Sequence, residues 1–450
     1  MRFFDDERFL CKGLFIVIIA GIIIRLVLGY YVTFVNDITA WVFTITNIDG
    51  GNGLYGVAGY YYPPVWGYYL AVFAEIIEHL GVDSLGDFFT ELLFMEEMEE
   101  EGSITTPTFN LVFTIFLTIL DLLASLMIYW IVDYFTDDKV KAKMGFALFF
   151  LGINVIAVSS MGAMFDSFSA LMTLLCFCML IKKYDFLAGV MFAMAVLLKL
   201  FPVFLIFLLV CYILKDKDNW KPRLLKAVLG AGIATAVIML PVILNGTLLD
   251  SISFLTDRAG GSDESTGFIS KYHDVLVYSF IFILSIVAAV VFMRQKTDAE
   301  NLDRQFLWFM VIAVIIIFQN TGAPQYLILL MPFLIIGALM FDRRMYIPLA
   351  ILMIGCTIAQ ILHLGSEMVS VTMYDHLISF DSFVSLYDAF YGNGNFVYNL
   401  LMVIGNGLEE LAVLIAAVIV LDHFGINYGY LKRLVSEHRD KDNSALTDSD

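Results

Sequence analysis

Lys and Arg collect on every second connection between long apolar runs and nearly vanish from the connections in between. The basic groups are Arg2/Arg8/Lys12, Lys139/Lys141/Lys143, Lys182/Lys183, Lys215 to Lys226, Arg294/Lys296/Arg304, Arg343/Arg344 and Lys432/Arg433. Segments 33–107, 159–165, 246–272, 319–324 and 364–395 hold only Arg258 and Lys271. Apolar runs of about 16 to 25 residues suit the hydrocarbon layer of a bilayer when helical. Basic connections stay on the cytoplasmic side. The alternation therefore predicts an all-α polytopic membrane protein. Its twelve spans fall near 13–32, 108–132, 144–160, 164–181, 184–199, 201–214, 227–245, 273–293, 305–319, 322–341, 345–363 and 400–422, with both termini in the cytoplasm.

Composition closes off other classes. With 60% hydrophobic and 16% charged residues, a soluble domain of this length could not cover its surface. A transmembrane barrel would alternate in short segments instead. The first run, Leu14 to Val32, follows a mixed-charge start and leads to no small-residue cleavage site, so it reads as a retained anchor. The cell membrane is the simplest location. A net charge of −18 argues against nucleic acid as a partner. The five cysteines lack metal-ligand spacing, and no nucleotide loop, HExxH or Gly-x-Ser-x-Gly is present. Residues 1–431 read as one transmembrane domain that includes loop 33–107, and 432–450 as a cytoplasmic acidic, disordered tail.

Residues 63–80 are an apolar stretch outside this count. Crossing there would place Glu91, Glu96, Glu97, Glu99, Glu100 and Glu101, with no Lys or Arg beside them, in the cytoplasm. An interfacial helix on the outer leaflet is predicted instead, with Trp66, Tyr68 and Tyr69 at headgroup depth. Bent or re-entrant geometry is expected around the short pair 184–199 and 201–214. The sequon Asn245-Gly246-Thr247 agrees with an outer location for 246–272.

The polar residues that look chemical lie mostly on the connections that lack basic residues. Asp37, just past the first span, is placed either to deprotonate a hydroxyl or to cap the following helix. The aromatic run around Tyr60-Tyr61-Tyr62-Pro63-Pro64-Val65-Trp66 suits sugar stacking, a polyprenyl chain or an ordinary interfacial belt. Asp166 begins a span and Asp121 lies inside one, where ionisable groups are costly. Lys199 is a cation at the outer end of its helix, against the orientation rule. Either an anionic partner such as phosphate accounts for it, or it snorkels to the headgroups. Gln319 to Tyr326 form a polar outer turn in which Gln325 and Tyr326 exceed what turn chemistry needs. Lys271 and His273 add cationic character to another outer loop.

In order, these features resemble the GT-C superfamily of polytopic glycosyltransferases. The chain is similar to the mannosyltransferase family that adds the first mannose of the GPI anchor. It is also similar to the prokaryotic group of polyprenyl-phosphate-dependent mannosyl- and arabinosyltransferases. The matching pieces are Asp37, Gly51 to Tyr55, Tyr62-Pro63-Pro64, Phe165-Asp166, Lys199 with Pro202, and Pro324-Gln325-Tyr326. Ala163 and Met164 stand where the prokaryotic pattern has Gln, and Asn36-Asp37 replaces paired acids. The resemblance implies a GT-C-like bundle of about twelve spans and inverting transfer of a hexose, mannose first among them, at the outer face. A polyprenyl-phosphate sugar would be the donor and a lipid or glycan the acceptor, among membrane lipids. Asp37 would be the base and Lys199 the phosphate contact, with Asp166, Gln325, Tyr326, Tyr62 and Trp66 around the substrates. No cofactor is implied, and a divalent metal is left open. The competing class is a transporter or flippase for a lipid-linked or anionic substrate, which twelve spans also suit.

Overall fold

A computed structural model describes residues 9–33, 35–55, 60, 62–83, 105–251, 268–319, 323–363, 382, 385 and 396–426. The expected tail 432–450, Arg258, and the side chains of Lys271 and His273 lie outside what is described. The chain folds as an all-α polytopic membrane protein. Its helices are α1 (Lys12–Tyr31), α2 (Val35–Asp49), α3 (Pro64–Leu80), α4 (Pro107–Thr136), α5 (Lys139–Phe150), α6 (Ile153–Ile156), α7 (Asp166–Ile181) and α8 (Asp185–Leu198). They continue as α9 (Ile206–Leu214), α10 (Trp220–Leu244), α11 (Phe268–Arg294), α12 (Leu302–Ile317), α13 (Met331–Met340), α14 (Tyr346–His363) and α15 (Phe396–His423). A π-helical turn, Ala157–Met161, extends α6, and 3-10 turns Phe201–Leu205 and Pro324–Ile328 precede α9 and α13.

The predicted spans coincide with a helix or a helix and its adjoining turn, except 144–160, which covers two helices. Among the described residues six helices are long and apolar enough to cross a membrane, or seven if α5 and α6 with its π turn count as one broken span. That break is the first departure from expectation. The run expected as one span over 144–160 starts earlier, at Lys139, and bends by 40° at Leu151-Gly152. The chain also breaks at Lys199-Leu200, where Pro202 lacks the amide hydrogen that would continue the helix. α2 and α3 occupy the stretch expected as a helix-bearing connection. Trp66, expected at headgroup depth, is instead 0% exposed and packed inside the protein.

Polar and apolar faces are arranged for lipid. Phe15, Ile19, Ile23 and Val27 of α1 and Leu225, Leu229, Ile233 and Val237 of α10 face outward, while Arg25, Asp121, Ser125, Asn154, Ser159 and Gln360 are buried. Without water to satisfy polar groups, a membrane bundle turns them toward its own interior. Close helix contacts need small residues, because van der Waals packing carries association in lipid. A Cβ on Gly230 would sit 2.0 Å from the Phe186 carbonyl oxygen, and one on Gly189 2.0 Å from that of Ala227, so α8 and α10 touch through backbone. Beside this contact Arg223 of α10 makes a bidentate bridge to Asp185, the first residue of α8, with Nη2 donating to Oδ1 at 2.9 Å and Nε to Oδ2 at 3.2 Å. Gly230→Ala is expected to force the pair apart and cost about 1–3 kcal/mol, seen as a lower Tm in detergent. An unchanged Tm would mean the helices separate freely.

Candidate active site

Four regions far apart in sequence meet at the end of α8. Lys199, where the helix stops, has extended backbone (φ −146°, ψ 138°) while its N–H still donates to the Ala195 carbonyl at 3.1 Å. Its Nζ donates to Asp166 Oδ1 at 2.5 Å and stands 4.4 Å from the Tyr326 ring centroid, 5.0 Å from Phe165 and 5.6 Å from Tyr62. Lys199 is 6% exposed, so it does not snorkel to the headgroups. The anionic partner inferred from sequence is, at least in part, Asp166. Asp166 is thus the counterion of Lys199 through Oδ1, and its Oδ2 has no hydrogen-bond partner. As the first residue of α7 its carboxylate also meets the helix N-terminus, where negative charge is favoured.

The turn before Asp166 is held tightly. Ala163 adopts left-handed backbone (φ 51°), an uncommon state for a residue with a Cβ. Trp41 Nε1–H donates to the Ala163 carbonyl at 2.9 Å. The strain of about 1–3 kcal/mol is therefore offset by fixed surroundings, as is common where a site must be held in one geometry. On the inner side of the turn, Arg25 Nε donates to Asp121 Oδ2 (2.9 Å), and Ser159 Oγ–H, within the π turn, donates to the same oxygen (2.7 Å). Asp121 thus anchors the segment leading into Asp166. Arg25 was not singled out from sequence. Its signal was available, since a guanidinium inside an apolar run calls for a carboxylate inside another.

Aromatic rings build the wall. Trp41 lies 5.5 Å from Tyr62 and 5.8 Å from Phe165, and Phe165 stacks on Trp66 at 4.2 Å with planes 10° apart. Trp66 therefore supports Phe165 from behind and does not itself line the site. The tyrosine-rich connection is folded by its own hydroxyls. Tyr55 donates to the Tyr62 carbonyl and Tyr60 to that of Pro63 (both 2.8 Å), while Tyr60 Oη accepts from Gly67 N–H. Burial pushes the Tyr55 and Tyr60 phenols up, so they stay neutral and serve as donors rather than bases. Tyr68 Oη–H ties α3 to α10 through the Ile238 carbonyl at 2.9 Å. Tyr68→Phe should lower stability by about 1 kcal/mol, measured by thermal unfolding, with an unchanged Tm counting against this tie.

Asp37 is in the first turn of α2, one turn ahead of Trp41, and is half-buried. The helix begins at Val35, which puts Asp37 inside its first turn rather than ahead of it. Its carboxylate still benefits from the helix dipole. Gln325 is 8% exposed and Tyr326 half-buried, both on the 3-10 turn before α13. Gln319 ends α12's trailing turn, and residues 320–322 lie outside what is described.

Residues 60–270 match the model of glycosyltransferase family 87. That match supports a membrane glycosyltransferase. The matched stretch includes Tyr62, Trp66, Asp166 and Lys199, whereas Asp37, Gln325 and Tyr326 fall outside it. No curated protein matches the chain.

Proposed function

We propose that this protein is an inverting hexosyltransferase, with mannose the first sugar to test, that uses a polyprenyl-phosphate sugar and glycosylates a lipid or glycan at the outer face of the cell membrane. One observation carries the reading. The only cation among these grouped motif residues, Lys199, is buried, held ready by Asp166, and surrounded by Tyr62, Phe165 and Tyr326. An ammonium has three donor hydrogens, and Asp166 Oδ1 takes one. The other two suit the oxygens of a phosphate whose charge grows as it departs. In low-dielectric surroundings such a fixed cation acts strongly and without reorganisation.

The acceptor hydroxyl oxygen forms a bond to the anomeric carbon as that carbon's bond to the phosphate oxygen breaks. The bonding electron pair leaves with polyprenyl phosphate, and Asp37 receives the hydroxyl proton. Phosphate is a competent leaving group, so positioning and charge stabilisation are the protein's main tasks. An apolar groove lined by Cys176, Phe192, Leu209 and Ala227, between α7 and α10, suits a prenyl chain. The test is transfer of radiolabel from polyprenyl-phosphate mannose, glucose or galactose to extracted lipid and glycan by purified protein in detergent. Transfer from any of them supports the reading. Movement of the intact lipid-linked sugar across vesicles with no transfer would replace it by the transporter class.

A further inference from the structure

On the far side of Asp166 from Lys199 the protein buries a second set of polar groups for which the reaction scheme above has no use. Asn154 (α6), Gln325, Gln360 (α14) and Glu409 (α15) are 0–8% exposed, and Cys356 (α14) is 0% exposed. The set is contiguous. Cys356 Sγ–H donates to the Pro324 carbonyl at 3.2 Å, next to Gln325, and the thiol is a neighbour of Asn154, Glu409 and Asp166. Gln360 follows Cys356 by one helical turn, and its Nε2 lies 3.0 Å from where a Cβ of Gly162 would be, at the turn leading to Asp166. Backbone contact between Gly355 and the Glu409 amide presses α15 against α14 at this level.

Buried polar atoms are ordinarily paired, and an unpaired one costs about 1–3 kcal/mol. Here Asn154 Oδ1, Asp166 Oδ2, Gln325 Oε1, Gln360 Oε1 and Nε2, and Glu409 Oε1 have no hydrogen-bond partner within the protein, while the Asn154 amide hydrogen turns to the Cys356 thiol. Five of these six atoms are oxygens and one is an amide donor. Such a set repels phosphate and calls for a partner rich in O–H donors that can also accept. Resting on the donor assigned above, we infer that this cluster binds the hydroxyls of the donor's sugar ring and selects which hexose is used. A sugar phosphate then meets matching chemistry on both sides of Asp166: a cation for the anionic half, and amide and carboxyl groups for the polyol half.

The experiment uses Gln360→Met and Asn154→Leu, which keep shape and remove the unpaired atoms. KM is measured for polyprenyl-phosphate mannose, glucose and galactose, together with the inhibition constant of sugar-free polyprenyl phosphate and the Tm of ligand-free protein. Each variant should raise KM for the preferred donor by roughly tenfold, one lost hydrogen bond's worth, and flatten the preference among the three sugars. The inhibition constant of polyprenyl phosphate should stay within about twofold, and the Tm of Gln360→Met should not fall, because a polar group satisfied only by ligand is no asset to the empty protein. Unchanged KM and preference would make the cluster hydrated packing and overturn the inference. Equal weakening toward the sugar-free lipid, or restoration of KM by Na⁺ or Ca²⁺, would overturn it as well. Failure of wild type to bind sugar-free polyprenyl phosphate would instead sink the donor assignment beneath it.

Discussion

Asp37→Asn should yield a protein that folds like wild type and transfers sugar about 10²- to 10⁴-fold more slowly, the usual loss when a positioned base is removed. Asn has nearly the same size but cannot take the acceptor's proton. At the α2 dipole, losing one negative charge in the first turn removes about 0.3–1 kcal/mol. The fall should therefore appear in kcat with donor KM little changed, because the proton moves only in the transition state. Turnover near the wild-type rate in a folded variant would refute Asp37 as the base.

The second large effect is expected at Lys199 and Asp166, 6% and 1% exposed. Removing one member of a buried pair leaves the other unpaired at about 3–5 kcal/mol. Lys199→Gln and Asp166→Asn should each lower Tm markedly, and the double variant should regain much of the loss. Donor recognition separates the two roles. Lys199→Gln should weaken donor binding by about 1.5–3 kcal/mol, the worth of a charge-assisted contact, and the double variant should not restore it. If donor affinity in the double variant returns to wild type, the pair is purely structural. Stability can be rebuilt by neutral partners, whereas an ammonium facing phosphate cannot.

The helices were legible because apolar runs of bilayer length leave few alternatives, and the order of Tyr62, Asp166, Lys199 and Tyr326 drew attention to residues the fold does bring together. The pairing itself was not legible. A cation and a carboxylate 33 positions apart look like two separate contacts until the α7–α8 turn sets them face to face. Trp66 misled for a related reason. An aromatic at a helix start beside two prolines has the composition of a headgroup anchor, and nothing local reveals the Phe165 ring that covers it. Asn154, Gln360 and Glu409 went unremarked because isolated polar residues in apolar runs carry no periodic signal. Their meaning comes only from burial together. The break at Leu151-Gly152 did carry a sign, the glycine itself, within a run otherwise suited to one straight helix.

The clasp of Arg25 on Asp121 has a consequence for how this protein is made. The guanidinium enters the membrane with the first helix, and its carboxylate follows 96 residues later, in α4. Until then α1 carries a charge that costs about 2.5–3.5 kcal/mol at mid-bilayer. During synthesis the first helix thus carries a charge without its Asp121 partner until α4 is made. The contact that joins α1 to α4 is set by charge, and the π turn that leads to Asp166 docks onto the same carboxylate through Ser159.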